Sequence, residues 1–130
     1  MSEHPNLQVM RAALKAFQSG DGPALTRLFS TDVIWRVPGK SAISKDYRGQ
    51  AEVFGFFGRL MESTAGTFKV QSVDMLANDA GGVFVDRLTA ERNGKKLDVR
   101  LLLHVTIRDG KIVEGTDFFH PEHQWDAFWA

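Results

Sequence analysis

Arg87, Arg100, His104 and Asp117 are the ionisable residues in the second half of the chain whose types and spacing could do chemistry together. A carboxylate flanked by an arginine and a histidine is a base or a ligand-orienting group. In that reading Asp117 or His104 moves a proton, and Arg87 or Arg100 holds a developing oxyanion. The alternative is structural: a buried carboxylate neutralised by arginines simply to satisfy the interior.

Two turns decide whether these residues meet. Asn93-Gly94 and Asp109-Gly110 interrupt long apolar runs, and such dipeptides supply the positive φ that a two-residue hairpin turn requires. Counting outward from them pairs Arg87 with Arg100, Val85 with Leu102 and Leu102 with Asp117. Directly opposed residues share a face. One face then carries Arg87 and Thr89, Asp98, Arg100, Leu102 and His104, and Asp117 and Phe119. The other carries Phe84, Asp86, Leu88, Leu97, Val99, Leu101 and Leu103, and is mostly apolar. A bulge or a one-residue slip would exchange the faces of a strand.

The elements ahead of this meander must cover one of its faces. Leu7, Met10, Leu14 and Phe17 form a helical stripe that stops near Ser19-Gly20. A short second helix follows, with Asp21 as N-cap and Pro23 in its first turn; Leu25, Leu28 and Phe29 form its buried side, and Ser30-Thr31-Asp32 break it. Val33 to Val37 read as a strand ended by Pro38-Gly39, residues 39–46 as loop, and Gln50 to Ser63 as a third helix with Val53, Phe54, Phe57, Leu60 and Met61 inward. From Thr67 onward everything reads as strand. Helices confined to the front half, followed by four long strands, make the class α+β: a curved antiparallel sheet packed on three helices and enclosing a pocket. The second sheet face, also rich in apolar residues, is expected to pack against a second copy of the chain.

Composition narrows the partners. The chain has 130 residues, 43% hydrophobic, which fits one domain spanning residues 1–130. Sixteen basic and sixteen acidic residues give a formal net charge of zero, so no footprint for nucleic acid or an anionic membrane surface is present. No cysteine is available for thiolate chemistry or a disulfide, which fits a reducing compartment. Met1 to Asn6 is polar, no leader pattern or membrane-length apolar run follows, and a cytoplasmic location is expected. His120 and His123 lack a carboxylate set, so no metal is expected, nor any other cofactor. Trp35 lies mid-strand as core or ligand platform, and Tyr47, the only tyrosine, lies at the helix entry as pocket rim or plain packing. The terminal aromatics Trp125, Phe128 and Trp129 are expected to cover the pocket mouth or a dimer edge.

Several words of the sequence resemble the SnoaL-like group of the nuclear transport factor 2-like superfamily, which includes polyketide cyclases and relatives of ketosteroid isomerase. They are Asp32-Val33-Ile34-Trp35-Arg36-Val37-Pro38-Gly39, Tyr47-Arg48-Gly49, Asp109-Gly110-Lys111-Ile112-Val113 and the closing Asp126-Ala127-Phe128-Trp129-Ala130. The resemblance implies a cone-shaped α+β fold with a pocket between sheet and helices, and dimers through the outer sheet face. It leaves the chemistry open, because this fold hosts isomerases, cyclases, hydrolases and non-catalytic proteins. Where a ketosteroid isomerase needs a tyrosine, a base and a second acid, this chain has Ala13, Val37 and Arg100 or Leu102. An epoxide-hydrolase pattern would keep Arg87 and Asp117 but finds Thr89 in place of an acid, with Ile34 and Arg36 where the water-holding groups belong. The late-strand acid of a polyketide cyclase falls nearest His120 or Asp117. The resulting expectation is a pocket protein for a small apolar carbonyl or epoxide compound, working by acid and base chemistry through Asp117, His104 and Arg87. Trp35, Tyr47, Arg100, Leu102 and Phe119 would contact the ligand. A non-catalytic ligand-binding or dimeric interaction domain is the alternative.

Overall fold

In the computed structural model, which describes residues 3–130, every apolar stripe of the helices faces one side of a single sheet. Of the polar start of the chain, Met1 and Ser2 lie outside the described residues. The order is α1 (Pro5–Ser19), α2 (Gly22–Leu28), β1 (Phe29–Val37), β2 (Lys45–Arg48), α3 (Gly49–Ser63), β3 (Lys69–Asn78), β4 (Gly81–Arg92), β5 (Lys95–Arg108), β6 (Lys111–His120) and α4 (Glu122–Trp129). The six strands form one sheet in the order β2-β1-β6-β5-β4-β3. The class is α+β, and its architecture departs from the sequence reading at two of its larger features. β1 runs parallel to β6, so the sheet is mixed rather than wholly antiparallel, and a fourth helix follows the meander.

Local chemistry explains most boundaries. Gly20, at φ 67°, closes α1 with its N–H on the carbonyls of Ala16 and Phe17. Asp21 caps α2 by accepting from the Ala24 N–H at 3.1 Å. The second helix ends at Leu28, so Phe29 begins β1 rather than completing the helix's buried side, and Ser30, Thr31 and Asp32 continue that strand. There Phe29, Val33, Trp35 and Val37 are buried while Thr31 and Asp32 face solvent, and the register shifts between Phe29 and Ile34. Lys45–Arg48 is an edge strand rather than loop; it buries only Tyr47, too little for an alternation to show. In α3 the fully buried residues are Val53, Phe56 and Leu60, with Phe54, Phe57 and Met61 half-buried beside them. Trp125, Phe128 and Trp129 are buried at helical spacing in α4. The carbonyls ending that helix are held by Lys95 Nζ, at 3.1 Å from Ala127 and 2.9 Å from Ala130, and by Arg92, at 3.0 Å from Phe128.

Both hairpins form at the expected dipeptides, with positive φ at Asn93, Gly94, Asp109 and Gly110. β4 and β5 pair as counted, Arg87 opposite Arg100 and Val85 opposite Leu102. β5 and β6 do not. Ile107 pairs with Ile112, but Thr106 pairs with Glu114, so Val113 is an extra residue and every later partner moves by one. Leu103, not Leu102, faces Asp117. The cause is in the spacing of the apolar anchors. Ile112 and Phe119 are both buried, yet they stand an odd step of seven positions apart, and a strict period of two cannot place both on the same face. The bulge resolves the conflict and carries Gly115 and Asp117 to the helix-covered face together with Phe119. At Gly115 a Cβ would stand 2.5 Å from the Trp35 ring, so only glycine lets that indole lie against β6.

Candidate functional site

Between the concave face of the sheet and helices α1 and α3 lies a cavity of about 80 Å³. Its walls are aliphatic and aromatic except for two carboxyls, Asp86 of β4 and Asp117 of β6. These strands flank β5, where Leu101 faces Asp86 and Leu103 faces Asp117. The pair is thus set diagonally across one strand, both side chains aimed at the same space. Asp86 is 1% exposed and Asp117 4%.

Burial governs their charge. Removal from water penalises a carboxylate far more than a carboxylic acid. Burial pushes the Asp86 carboxyl up to about 7, and Asp86 Oδ1 has no hydrogen-bond partner among the described residues. Asp117 is also pushed up to about 7, chiefly by burial; a hydrogen bond from the Trp35 indole pulls it back, and the charge of Asp86 adds to the rise. Trp35 therefore both forms the wall over Gly115 and favours the ionised form of Asp117. Phe119 extends the wall, and the Trp125 ring of α4 stacks on it at 3.8 Å between centroids, nearly parallel. Two carboxyls near neutrality in a water-poor space can exchange protons with a bound molecule in either direction.

Of the residues singled out from the sequence, Asp117, Trp35 and Phe119 line this cavity. The bulge at Val113 separates them from the rest. Arg87, Arg100, Leu102 and His104 stand on the opposite, convex face and are exposed. Asp117 therefore does not sit between Arg100 and His104 as the unbulged register requires. Arg87 instead makes a bidentate pair with Asp98 at 2.9 and 2.6 Å, which holds the guanidinium protonated and keeps Asp98 below the usual carboxylate range. Tyr47 lies one layer behind the cavity: its ring stacks on Phe56 at 4.5 Å, and its hydroxyl donates to the Ile43 carbonyl at 2.6 Å. Asp86 is the residue sequence reasoning passed over. Its signal was a lone acid in the apolar row Phe84, Asp86, Leu88, Ala90, a position where a charge has no solvent to meet.

The sign of the pH dependence follows from these raised values. In the unfolded chain both carboxyls ionise near the ordinary aspartate value, about 3.9. In the folded chain they keep their protons up to about pH 7. The folded state thus binds more protons across that window, and stability falls as pH rises through it. The difference in unfolding free energy between pH 5 and pH 8, from urea denaturation, is expected to shrink by on the order of 2 kcal/mol or more when Asp86→Asn and Asp117→Asn are combined. An unchanged difference would contradict the assignment.

Comparison with known proteins places the chain in a family. The model of the SnoaL-like domain matches residues 10–115. An uncharacterized protein of Mycobacterium tuberculosis is 36% identical over 131 residues, covering 100% of both chains. Among solved structures, Bal32a from a soil-derived mobile gene cassette is 37% identical, with a TM-score of 0.94 over 97% of each chain. A nuclear transport factor 2-like protein from Burkholderia xenovorans shares the fold at 17% identity, with a TM-score of 0.77 over 92% of each chain. With a family model spanning most of its length and a full-length relative above 30% identity, the chain belongs to the SnoaL-like domain family.

Proposed function

We propose that this protein is a cofactor-free acid/base enzyme acting on a small, largely apolar carbonyl or epoxide compound bound between the sheet and the helices. The observation that carries this reading is the pair of buried carboxyls, both pushed up to about 7, in an otherwise apolar cavity. A general acid or base works best when its pKa lies near the operating pH. Asp117, which accepts the Trp35 hydrogen bond, is the proton-transfer group. With a ketone, its carboxylate removes a proton from the carbon next to the carbonyl, and the electron pair moves onto the carbonyl oxygen. Asp86 in its protonated form donates a hydrogen bond to that oxygen, and return of a proton to carbon restores the ketone. With an epoxide, protonated Asp86 gives its proton to the ring oxygen while a water molecule, losing its proton to the Asp117 carboxylate, attacks a ring carbon; a new C–O bond forms as the ring C–O bond breaks, and the product is a diol. Arg87 and His104, on the convex face, take no part in this scheme.

The same face supports a homodimer. Val85, Leu102 and Phe118 form one row across β4, β5 and β6, and Leu102 and Phe118 are 47% and 54% exposed. Val73 and Leu76 of β3 add further exposed apolar surface. Covering such a patch with a second copy removes it from water. A dimeric domain that binds a ligand without turning it over remains the second reading, and the first test below separates the two.

Exchange of the α-protons of cyclopentanone in D2O, followed by NMR, reports the proposed proton transfer directly. The protein is expected to accelerate exchange above buffer, and Asp117→Asn to reduce that acceleration by about a hundredfold or more while the fold is retained. No acceleration with the ketone, and no hydrolysis of cyclopentene oxide, would leave only the binding reading. For the dimer, sedimentation velocity should give twice the chain mass for the wild type and the single chain mass for Phe118→Asp; a monomeric wild type contradicts the assignment.

A further inference from the structure

The ionisable groups that line the cavity are all acids. Among the described residues, Asp86 and Asp117 are its only ionisable lining groups: α1, α3, α4 and β1 contribute hydrocarbon and aromatic groups, as do β3 and β5, and no lysine, arginine or histidine lines it. Asp86 Oδ1 is buried, an acceptor with no donor among the described residues. Nine of the lining residues are aromatic, so the space around the two acids is bounded by ring faces and edges. Ring faces attract cations, and a buried carboxylate is stabilised by a paired cation.

We propose that the cavity takes a small ligand carrying a protonated amine on an apolar body, that the ammonium pairs with Asp86, and that carboxylates and phosphates are turned away. This deepens the reading of the cavity as a substrate site and rests on it. With an amine-bearing substrate the ammonium held by Asp86 takes the place of the Asp86 proton as donor to the developing oxyanion, and it cancels the charge that opposes ionisation of Asp117, leaving Asp117 as the base. The pairing strengthens as Asp86 ionises, so binding grows tighter from pH 5 to pH 8, while an alkylamine stays protonated throughout, as a lysine side chain does at about 10.4.

Cyclopentylamine, cyclopentanol and cyclopentanecarboxylate have the same ring and differ in charge. Titrated into the wild-type protein, they can be followed by the fluorescence of Trp35 and Trp125, which line the cavity, and by calorimetry. At pH 8 the amine is expected to bind about tenfold or more tightly than the alcohol, with no binding of the carboxylate. At pH 5 the advantage of the amine should largely vanish, and Asp86→Asn should remove it at pH 8. Equal binding of amine and alcohol at pH 8 overturns the charge preference and leaves the cavity standing as a ligand site. An amine advantage that survives Asp86→Asn overturns the assignment to Asp86. Failure of all three probes to bind overturns both this inference and the substrate-site reading beneath it. The wild-type comparison at two pH values decides the matter even if Asp86→Asn does not fold.

Discussion

The odd spacing between Ile112 and Phe119 is the constraint on which the rest of this structure depends. Both residues belong in the core, and a regular strand can bury only one of them. The chain accommodates both by inserting Val113 as a bulge, and that one residue reassigns the faces of everything after it on β6. Without it Asp117 would lie on the convex surface among arginines, an ordinary solvated ion-pair network. With it Asp117 enters the hydrocarbon interior opposite Leu103, in the same cavity as Asp86.

Two further features follow from that placement. Gly115, carried inward by the same bulge, leaves room for the Trp35 ring against the strand, and the indole reaches Asp117 from there. Phe119, also turned inward, gives Trp125 a surface to stack on, which seats α4 against the end of the cavity. Each carboxyl is costly to ionise where it stands. Groups whose burial perturbs their pKa mark candidate functional sites, and the two carboxyls mark the apolar cavity of this SnoaL-like domain as one.

Much of the architecture was legible in the sequence, for reasons that are local. The turn dipeptides dictate positive φ and therefore the β4–β5 register, and Gly20 and Asp21 punctuate the first two helices. The words around Trp35 and Tyr47 pointed to the family. The site was less legible because it depends on a register change that no turn residue announces. Its trace is the seven-residue step from Ile112 to Phe119, visible only once both are known to be buried. The unbulged count that groups Arg87, Arg100, Leu102 and His104 with Asp117 holds through the Ile107–Ile112 pair and is displaced by one from Thr106 onward. Asp86 was in view on the apolar face, but it gains a role only when a second acid joins it there. The helix α4 was hidden because its stripe of Trp125, Phe128 and Trp129 occupies barely two turns.

The central claim is that the bulge delivers Asp117 to the same apolar cavity as Asp86, where both hold protons up to neutrality. Its most direct test is an NMR titration of the aspartate side-chain carboxyl carbons, with Asp86→Asn and Asp117→Asn used to assign the two resonances. The account predicts two carboxyls titrating near pH 7, with the Asp117 midpoint moving down when Asp86 is neutralised. Titration of Asp117 near pH 4, unaffected by Asp86, would contradict it and return this residue to the solvated face.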